Sequence, residues 1–596
     1  MKRVILLLII IGLYSCNTFD AEKYKNNDAV YLNMVKEYQL NDDGSVDYRY
    51  SHKLRLLSYY VINRVYGESF IPYNLKHQTL TINKSLTTMA DGTEVKSPDN
   101  AFNKILPSYA ANAPYYNNIR EMVVTHTGLE KNASIDLNYT IHSDKNYYPY
   151  LMSNETLTSG SPIQKLIIVV KVPLDKKLNY KLFNYQQEPK VKETSSFIQY
   201  KWVFNDLPAI SREQMNSQQT EPKLNFSTAK DINQAFQKFV ENNPVNDLNL
   251  NEKITKKSTT LLTALECQKK VVNELNYYEI SLKHNGFKFR DAKSVWESNG
   301  GTNIERTMVL VNLLKNNNID AEPVAVIDSC FDNKPYANLL NVNKFLVKVN
   351  LENDNYIYLS ANEINTLDCK YKLGNKTVVI LKQEKIKAIN EKTYDNDLSV
   401  TSDLKLTEKN KISGTINCTL TNGVNPYFKT IKNEKSIKNI FKNLSSSNIN
   451  NYSLKQNTGE ETNVVFNVEI KDLKEQAKYI FWKLPEFNMG FNQWYLRSLT
   501  KERATTLEIP FCINESYKFK LSIPDSYKLL ATDTIISINN KLGSVNIEIV
   551  KGENNIMISR SIKLNKCIVE ASEYQGFKNL IDAWLNPKNK EIVLKY

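Results

Sequence analysis

Glycine and proline are scarce, at 17 and 18 of 596 residues, which excludes a collagen-like or low-complexity chain. Histidine is scarcer still: His52, His77, His126, His142 and His284 are the five, and none follows position 284. Seven cysteines are dispersed with no CxxC spacing, so no zinc ribbon or dithiol redox motif is written here. Walker loop, GxSxG, HExxH, EF-hand and zinc spacings are all missing, and no metal or cofactor is expected. Only one long apolar run occurs, at the start, which rules out a bundle of membrane-spanning helices. What is present is core-forming material: 41% hydrophobic and 24% charged residues, with 35 Tyr and 22 Phe. That is too apolar and aromatic for general disorder. At roughly 100–200 residues per domain, the length predicts three or four domains.

The apolar run follows Lys2 and Arg3 and extends from Val4 to Leu13. A short basic region, about ten apolar residues and a small residue describe a secretory signal, too short for the roughly 20 residues of a bilayer span. Leu13-Tyr14-Ser15-Cys16 resembles a bacterial lipobox. The resemblance implies removal of residues 1–15 and diacylation of the Cys16 thiol, with the mature chain held by two or three acyl chains. The other reading is a soluble exported protein with an incidental cysteine. Net charge is +13, with Lys2 and Arg3 lost in processing. The remaining lysines are scattered among Asp and Glu, not gathered into a nucleic-acid patch. No nucleic acid is expected; the charge reads as solubility, with weak attraction to anionic lipid or glycan second. Among Cys267, Cys330, Cys369, Cys418, Cys512 and Cys567, wide spacing gives no connectivity. Cys330 with Cys369 is the favoured disulfide, and buried free thiols are an equal alternative.

Period-two patterning starts after a short tether. Val30, Leu32, Met34, Tyr38 and Leu40 share one parity, and so do Val46, Tyr48, Tyr50, Leu54 and Leu56, around Asn41-Asp42-Asp43-Gly44. This predicts a hairpin whose glycine takes positive φ. Strands are predicted at Leu80–Leu86, Met122–Thr125, Ile135–Ile141, Leu166–Val172 and Ile198–Phe204, reading as a β-sandwich. Helical spacing follows in Leu261, Leu265, Val271, Val272, Leu275 and again in Met308, Val311, Leu314. Strands Glu322–Ile327, Phe345–Val349 and Tyr356–Leu359 complete an α+β pattern. From about 395 the chain returns to strands, including Lys411–Leu420, Val464–Ile470, Tyr517–Ile523 and Val545–Val550. A late helix carries Tyr574, Phe577, Leu580, Ile581, Trp584 and Leu585 on one face before Pro587. The predicted division is 1–15 signal peptide, 16–28 tether, 29–235 N-terminal β-sandwich, 236–380 α+β domain and 395–596 C-terminal β-rich domain. The fold class is therefore multidomain and mainly β, with an α+β centre and β-sandwich domains on both sides.

These residues carry a resemblance. Ala90-Asp91-Gly92, Ile105-Leu106-Pro107, Ala113-Pro114, Arg120 to Val124 and Gly128-Leu129-Glu130 are similar to an N-terminal β-domain of bacterial envelope proteins. In that family it precedes a transglutaminase-like domain of the papain-like superfamily. Asn276 to Val326 resembles that domain through Gly300-Gly301-Thr302, Glu305-Arg306 and Ile319 to Val324. The stretch Tyr574 to Leu594 resembles the family's C-terminal ending. Active members use a Cys–His–Asp triad: a thiolate at a helix start, where the dipole favours it, a histidine base and an orienting aspartate. The resemblance puts the cysteine position at Thr302, the histidine position at Lys344 (or Asn343 with a slip of one), and the aspartate position at Ser360. None of the three matches.

No substitute stands out. Every histidine lies upstream of 302, whereas the fold needs its base downstream. Cys267 lies mid-helix among apolar residues, Cys330 is followed by no histidine, and Asp368 reads as a loop carboxylate. Thr302-Asn303-Ile304-Glu305 fits a capping box, so Thr302 is expected to start a helix, its hydroxyl contributing about 1 kcal/mol. His284 reads as a surface-loop residue. Trp296, Phe287 and Phe289 read as core, with groove lining as the alternative.

The expectation is a non-catalytic lipoprotein of a Gram-negative cell envelope, outer-membrane-anchored through Cys16 and facing periplasm or exterior. Its degenerate transglutaminase-like domain would bind peptide, glycan or envelope proteins. The rivals are an enzyme with a centre elsewhere, acting on envelope or exogenous polymers, and a structural partner of an outer-membrane assembly.

Overall fold

The computed structural model describes residues 22–596, apart from 62, 211–212, 218–220, 329–330, 332–333, 353–354, 365–366, 375, 383–386, 392, 408, 426–448, 459, 472 and 531–532. Cys16 and Cys330 therefore lie outside the described residues, as does the side chain of Asp368, and with them the lipidation site and the favoured Cys330–Cys369 pair. No helix among the described residues is long and apolar enough to cross a membrane.

The molecule is mainly β and multidomain. Ala29–Leu40 and Val46–Leu56 pair antiparallel from Leu40↔Val46 to Ala29↔Leu56, because Gly44 supplies φ +85° in the turn where a side chain would be strained. This hairpin lies at the centre of an eight-stranded sheet. Val46–Leu56 continues through Ser134–Ser143 to Gln78–Thr88 on one side. Ala29–Leu40 pairs in parallel with Ile163–Pro173 on the other. Two three-stranded sheets pack against it: Glu68–Asn74, Ile119–Thr125 and Phe102–Ile105, and Met152–Thr156, Lys223–Ser227 and Asn179–Phe183.

The helix Ile232–Glu241 spans the boundary expected at 235. Asp231 caps it, accepting the Gln234 N–H at 2.8 Å, and Ile232, Ala235, Phe236, Phe239 and Val240 are buried, the spacing of one helix face. That face packs with Phe287, Ile304, Met308 and Phe345, so the helix belongs to the central core. The helices Thr260–Glu274 and Asn303–Asn316 follow, against an antiparallel five-stranded sheet. Its order is Tyr356–Leu359, Val342–Asn350, Ala321–Asp328, Lys376–Ile380 and Lys387–Asn390.

The C-terminal region builds a second eight-stranded sheet, again with one parallel pair, Asp397–Leu406 beside Asn514–Ser522. The helix Tyr574–Leu585 buries the six residues that share its apolar face. Cys512 and Cys567 form a disulfide with Cα atoms 5.5 Å apart. It joins the ends of two strands paired at Asn514↔Lys563. Replacing both cysteines by alanine should lower the stability of this domain by about 2–4 kcal/mol through lost loop closure. Thermal unfolding without reductant, with hydrogen exchange across 514–564, checks this; an unchanged profile would show the bridge to be dispensable.

Candidate functional site

The Asn303–Asn316 helix starts as its sequence predicts, with Thr302 at the N-cap. Only half of the capping box is a full hydrogen bond. The Glu305 carboxylate accepts the Thr302 N–H at 2.8 Å, whereas the Thr302 hydroxyl is buried without a hydrogen-bond partner. Glu305 has no solvent exposure and is held by four more donors. Arg290 reaches it through Nε at 2.8 Å, Nη2 at 3.0 Å and its own N–H at 3.0 Å, and Tyr116 through its hydroxyl at 2.7 Å. Burial alone would raise the Glu305 carboxyl; the Arg290 bonds and charge bring it below its ordinary value. Burial, then the Glu305 charge, push the Tyr116 phenol far up.

Tyr116 comes from the N-terminal β-domain. The segment carrying it packs Ala110, Ala113, Tyr116 and Ile119 against Tyr278 and Ile280 of the central domain, and the Tyr115 ring covers the Arg290 guanidinium at 4.5 Å. Gly300 and Gly301 complete the enclosure: a Cβ at Gly300 would lie 2.4 Å from the Tyr278 hydroxyl. Thr302 is 3% exposed. The helix N-terminus, whose partial positive charge favours an anion, is therefore occupied by an internal carboxylate under a cover from the neighbouring domain.

The other two triad positions lie on the sheet. Asn303 ties the helix to its second strand, accepting the Phe345 N–H at 2.7 Å. On that strand Phe345 packs with Ile304 and Met308, and Val347 and Val349 with Val309, Leu310 and Leu313. Leu346 packs on the opposite face with Val324, Val326 and Tyr358. Lys344 has the parity of Leu346, is exposed and pairs with Val326, so its side chain leaves the face away from Thr302. Asn343 is the extra residue of a bulge at this point and reaches Asp328 at 3.3 Å. Ser360, one residue past Tyr356–Leu359, accepts the Gln268 Nε2 bond on its carbonyl at 2.9 Å and the Asn362 N–H on its hydroxyl at 3.1 Å. Thr302, Lys344 and Ser360 are thus on neighbouring elements, but their side chains do not face one cleft. Alternation on the strand, apolar Phe345, Val347 and Val349 against Lys344 and Lys348, is the sequence signal for this.

Cys267 is fully buried and its thiol is pushed up to about 12 by burial; Cys418 is likewise buried and raised. Burial lowers His52 to about 3 and His126 to about 4. Their hydrogen-bond contacts are Tyr50 and Ser69. Among the described residues, no group of three or more His, Cys, Asp and Glu side chains could hold a metal ion. Trp296 packs beside the Val295 core with Lys270 over its ring at 5.1 Å, and Phe287 and Phe289 are buried.

His284 differs from its surface-loop expectation. It is half-buried, stacks on Tyr109 at 5.7 Å, and borders a cavity of about 300 Å³ between the large N-terminal sheet and the central domain. Tyr38, Tyr48, Tyr139, Tyr148, Tyr150 and Glu155 supply its walls from the N-terminal side. Glu155 accepts hydrogen bonds from Tyr38 and Ser153 and pairs with Lys36 at 2.7 Å. Burial alone would raise its carboxyl, but Lys36 and then Lys283 bring it to about 2. Burial keeps the phenols neutral, with Tyr148 up to about 12. The walls thus offer aromatic faces, phenol hydroxyls and amide groups around a carboxylate whose charge is already paired. Residues scattered from 38 to 340 form this lining, and the tyrosine content is its only trace in the sequence.

Two family models match the chain: Domain of Unknown Function DUF3857 over residues 42–211 and Domain of Unknown Function DUF3858 over residues 478–594. The chain is also similar to the solved structure of a "putative protease" from Parabacteroides distasonis. Identity is 26%, the match covers 96% of this chain and 99% of that one, and the TM-score is 0.71. Comparison with the curated proteins found no match.

Proposed function

We propose that this chain is a non-catalytic lipoprotein of the cell envelope. Its central domain is a transglutaminase-like domain that has lost catalysis and serves, with the N-terminal β-domain, as a binding module. The observation that carries the reading is closure at Thr302: the position that would hold the nucleophile has a buried hydroxyl, an internal carboxylate on its helix start and Tyr116 of another domain over it. A thiolate needs access and a proton acceptor, and neither is at hand. Likeness to a protease structure supports the scaffold, not the chemistry.

The tyrosine cavity is the binding site on this reading. Its volume suits a small ring or one or two residues of a polymer. Aromatic faces with phenol hydroxyls fit the alternating C–H and O–H faces of a neutral sugar, so an envelope or exogenous glycan is favoured over a peptide. The purified protein should show no amide hydrolysis or transamidation, and Thr302→Cys should remain inactive because no base faces it. A screen with glycans and cell-wall peptides should give binding that Tyr139→Ala lowers at least about tenfold, without products. Turnover that co-purifies with the protein would overturn the inactive reading.

An enzyme centre elsewhere has one observation in its favour. In the C-terminal domain Glu515 is raised to about 7 while nearby Glu486 is lowered, the separation seen in acid–base pairs. Glu515 is only 1% exposed, however, and Glu486 is held by Arg560 at 3.2 Å and Lys590 at 2.6 Å. Both groups are therefore assigned to packing.

A further inference from the structure

We propose that the exposed tip around Tyr59, Tyr60 and Val65 rests in the headgroup region of the bilayer that holds Cys16, giving the chain a second, non-covalent membrane contact. The inference rests on the lipid-anchor reading and adds a surface to it.

Tyr59 is 73%, Tyr60 82% and Val65 77% exposed. The described flanks of this stretch are tied down. Asp28 accepts the Leu57 N–H at 2.7 Å and the Ser58 hydroxyl at 2.6 Å. Asn63 caps the next turn through the Val65 N–H at 2.8 Å, and Tyr66 packs inward beside Ala29, Leu56 and Ala133. One short stretch thus packs one tyrosine partly inward and displays two, with a valine, to solvent. Large apolar side chains displayed together mark a contact surface.

Position selects the partner. The registers Ala29↔Leu56, Arg55↔Ser134 and Ile163↔Leu207 place this tip at one end of the large sheet. The chain enters at the same end, where Lys23 and Tyr24 contact Asp206. From Cys16 to Glu22 is a handful of peptide units, which at about 3.5 Å each reach no more than about 21 Å. An acylated Cys16 therefore brings this end of the molecule to the bilayer before any other. Tyrosine suits that depth, ring toward the acyl chains and hydroxyl among headgroups. Lys131, exposed and with its ammonium 5.7 Å from the Tyr59 ring, suits anionic lipid. Tethering raises the local concentration, so a contact too weak to hold a free protein is sufficient here.

The test uses the full mature chain and vesicles of phosphatidylethanolamine with phosphatidylglycerol. On acylated protein, hydrogen exchange in peptides covering 57–67 should slow at least about threefold when vesicles are present, with the 534–551 hairpin as an unaffected reference. With Cys16→Ser, vesicle co-sedimentation should be weak, and Tyr59→Asp with Tyr60→Asp and Val65→Asp should reduce it about tenfold. Unchanged exchange on the acylated protein, or equal sedimentation of the variants, would overturn the proposal. Mass spectrometry of the N-terminal peptide reads the anchor separately: an unacylated Cys16 ends the anchor reading, while the sedimentation arm still decides the tip. These side chains are exposed, so the substitutions should leave the thermal unfolding curve unchanged, and the exchange arm needs no variant.

Discussion

Glu305→Gln should destabilise the central domain by about 3 kcal/mol, the low end of the 3–5 kcal/mol seen when one partner of a buried ion pair is removed. The low end applies because Glu305 is sealed, whereas the Arg290 side chain is 17% exposed and retains some water. The amide keeps the shape but cannot accept five hydrogen bonds, and it strands the guanidinium that Glu305 neutralises. The effect should extend across the domain boundary, because Tyr116 exchanges a charged acceptor for a neutral one: hydrogen exchange should rise in 108–119 as well as in 303–316. Arg290→Met combined with Glu305→Leu should cost less than the sum of the two single changes, since no charge is left unpaired, and a double-mutant cycle measures the difference. Denaturation of the intact chain need not be two-state, so the local exchange rates carry the decision. If Glu305→Gln shifts them by less than about 0.5 kcal/mol, the buried pair does not close the Thr302 position.

That pair also shows where sequence reading stopped. The helix start at Thr302 was legible because its determinants are contiguous: a cap, then Glu three residues on, then an apolar run. Tyr116 was not, because it lies 189 residues upstream of Glu305 and nothing in a local pattern links them. The first hairpin was legible for the same reason as the helix start, through Gly44 and alternation on both sides. The parallel pairing Met34↔Leu166 was not, since alternation assigns a face and leaves the neighbour open. Cys512 and Cys567 are 55 residues apart, a separation with no preferred partner until the strands are paired. Lys344 and Ser360 came from resemblance; strand parity, available in the sequence, already set Lys344 against the packed face. The five tyrosines of the cavity converge only once the sheet is wound.

Between pH 5 and pH 8 the C-terminal domain should lose stability as pH rises, and Glu515→Gln should remove most of that loss. Glu515 accepts the Phe491 N–H at 2.8 Å and the Tyr517 hydroxyl at 2.6 Å, and a Cβ at Gly490 would lie 2.1 Å from its Oε2, so no space is left for water on that side. Burial drives its carboxyl to about 7; the Tyr517 and Phe491 bonds oppose this, Glu486 adds to it and Arg560 opposes it. An unfolded glutamate titrates near 4.3. The folded state thus holds a proton that the unfolded state has released. The stability this brings is complete below about pH 4.3 and is lost as pH rises through 7. At 1.36 kcal/mol per unit the full loss is about 4 kcal/mol, of which about 3 kcal/mol falls between pH 5 and pH 8. Phe491 and Tyr517 bond different carboxylate oxygens, so glutamine keeps one of the two acceptor bonds; it carries no charge, so the variant should gain about 2–3 kcal/mol relative to the parent between pH 5 and pH 8. Glu486 works in the opposite direction and in a lower window: its carboxyl is below the ordinary value beside Lys590 and Arg560, so its contribution is lost only as pH falls into the acid range. Hydrogen exchange in 514–522, followed across pH with the intrinsic pH dependence of exchange subtracted, separates the two. Parallel profiles for parent and variant would mean that Glu515 ionises in place, and would reopen the case for a carboxylate with catalytic work to do; divergence above pH 6 makes it a structural acid, sealed away from any substrate.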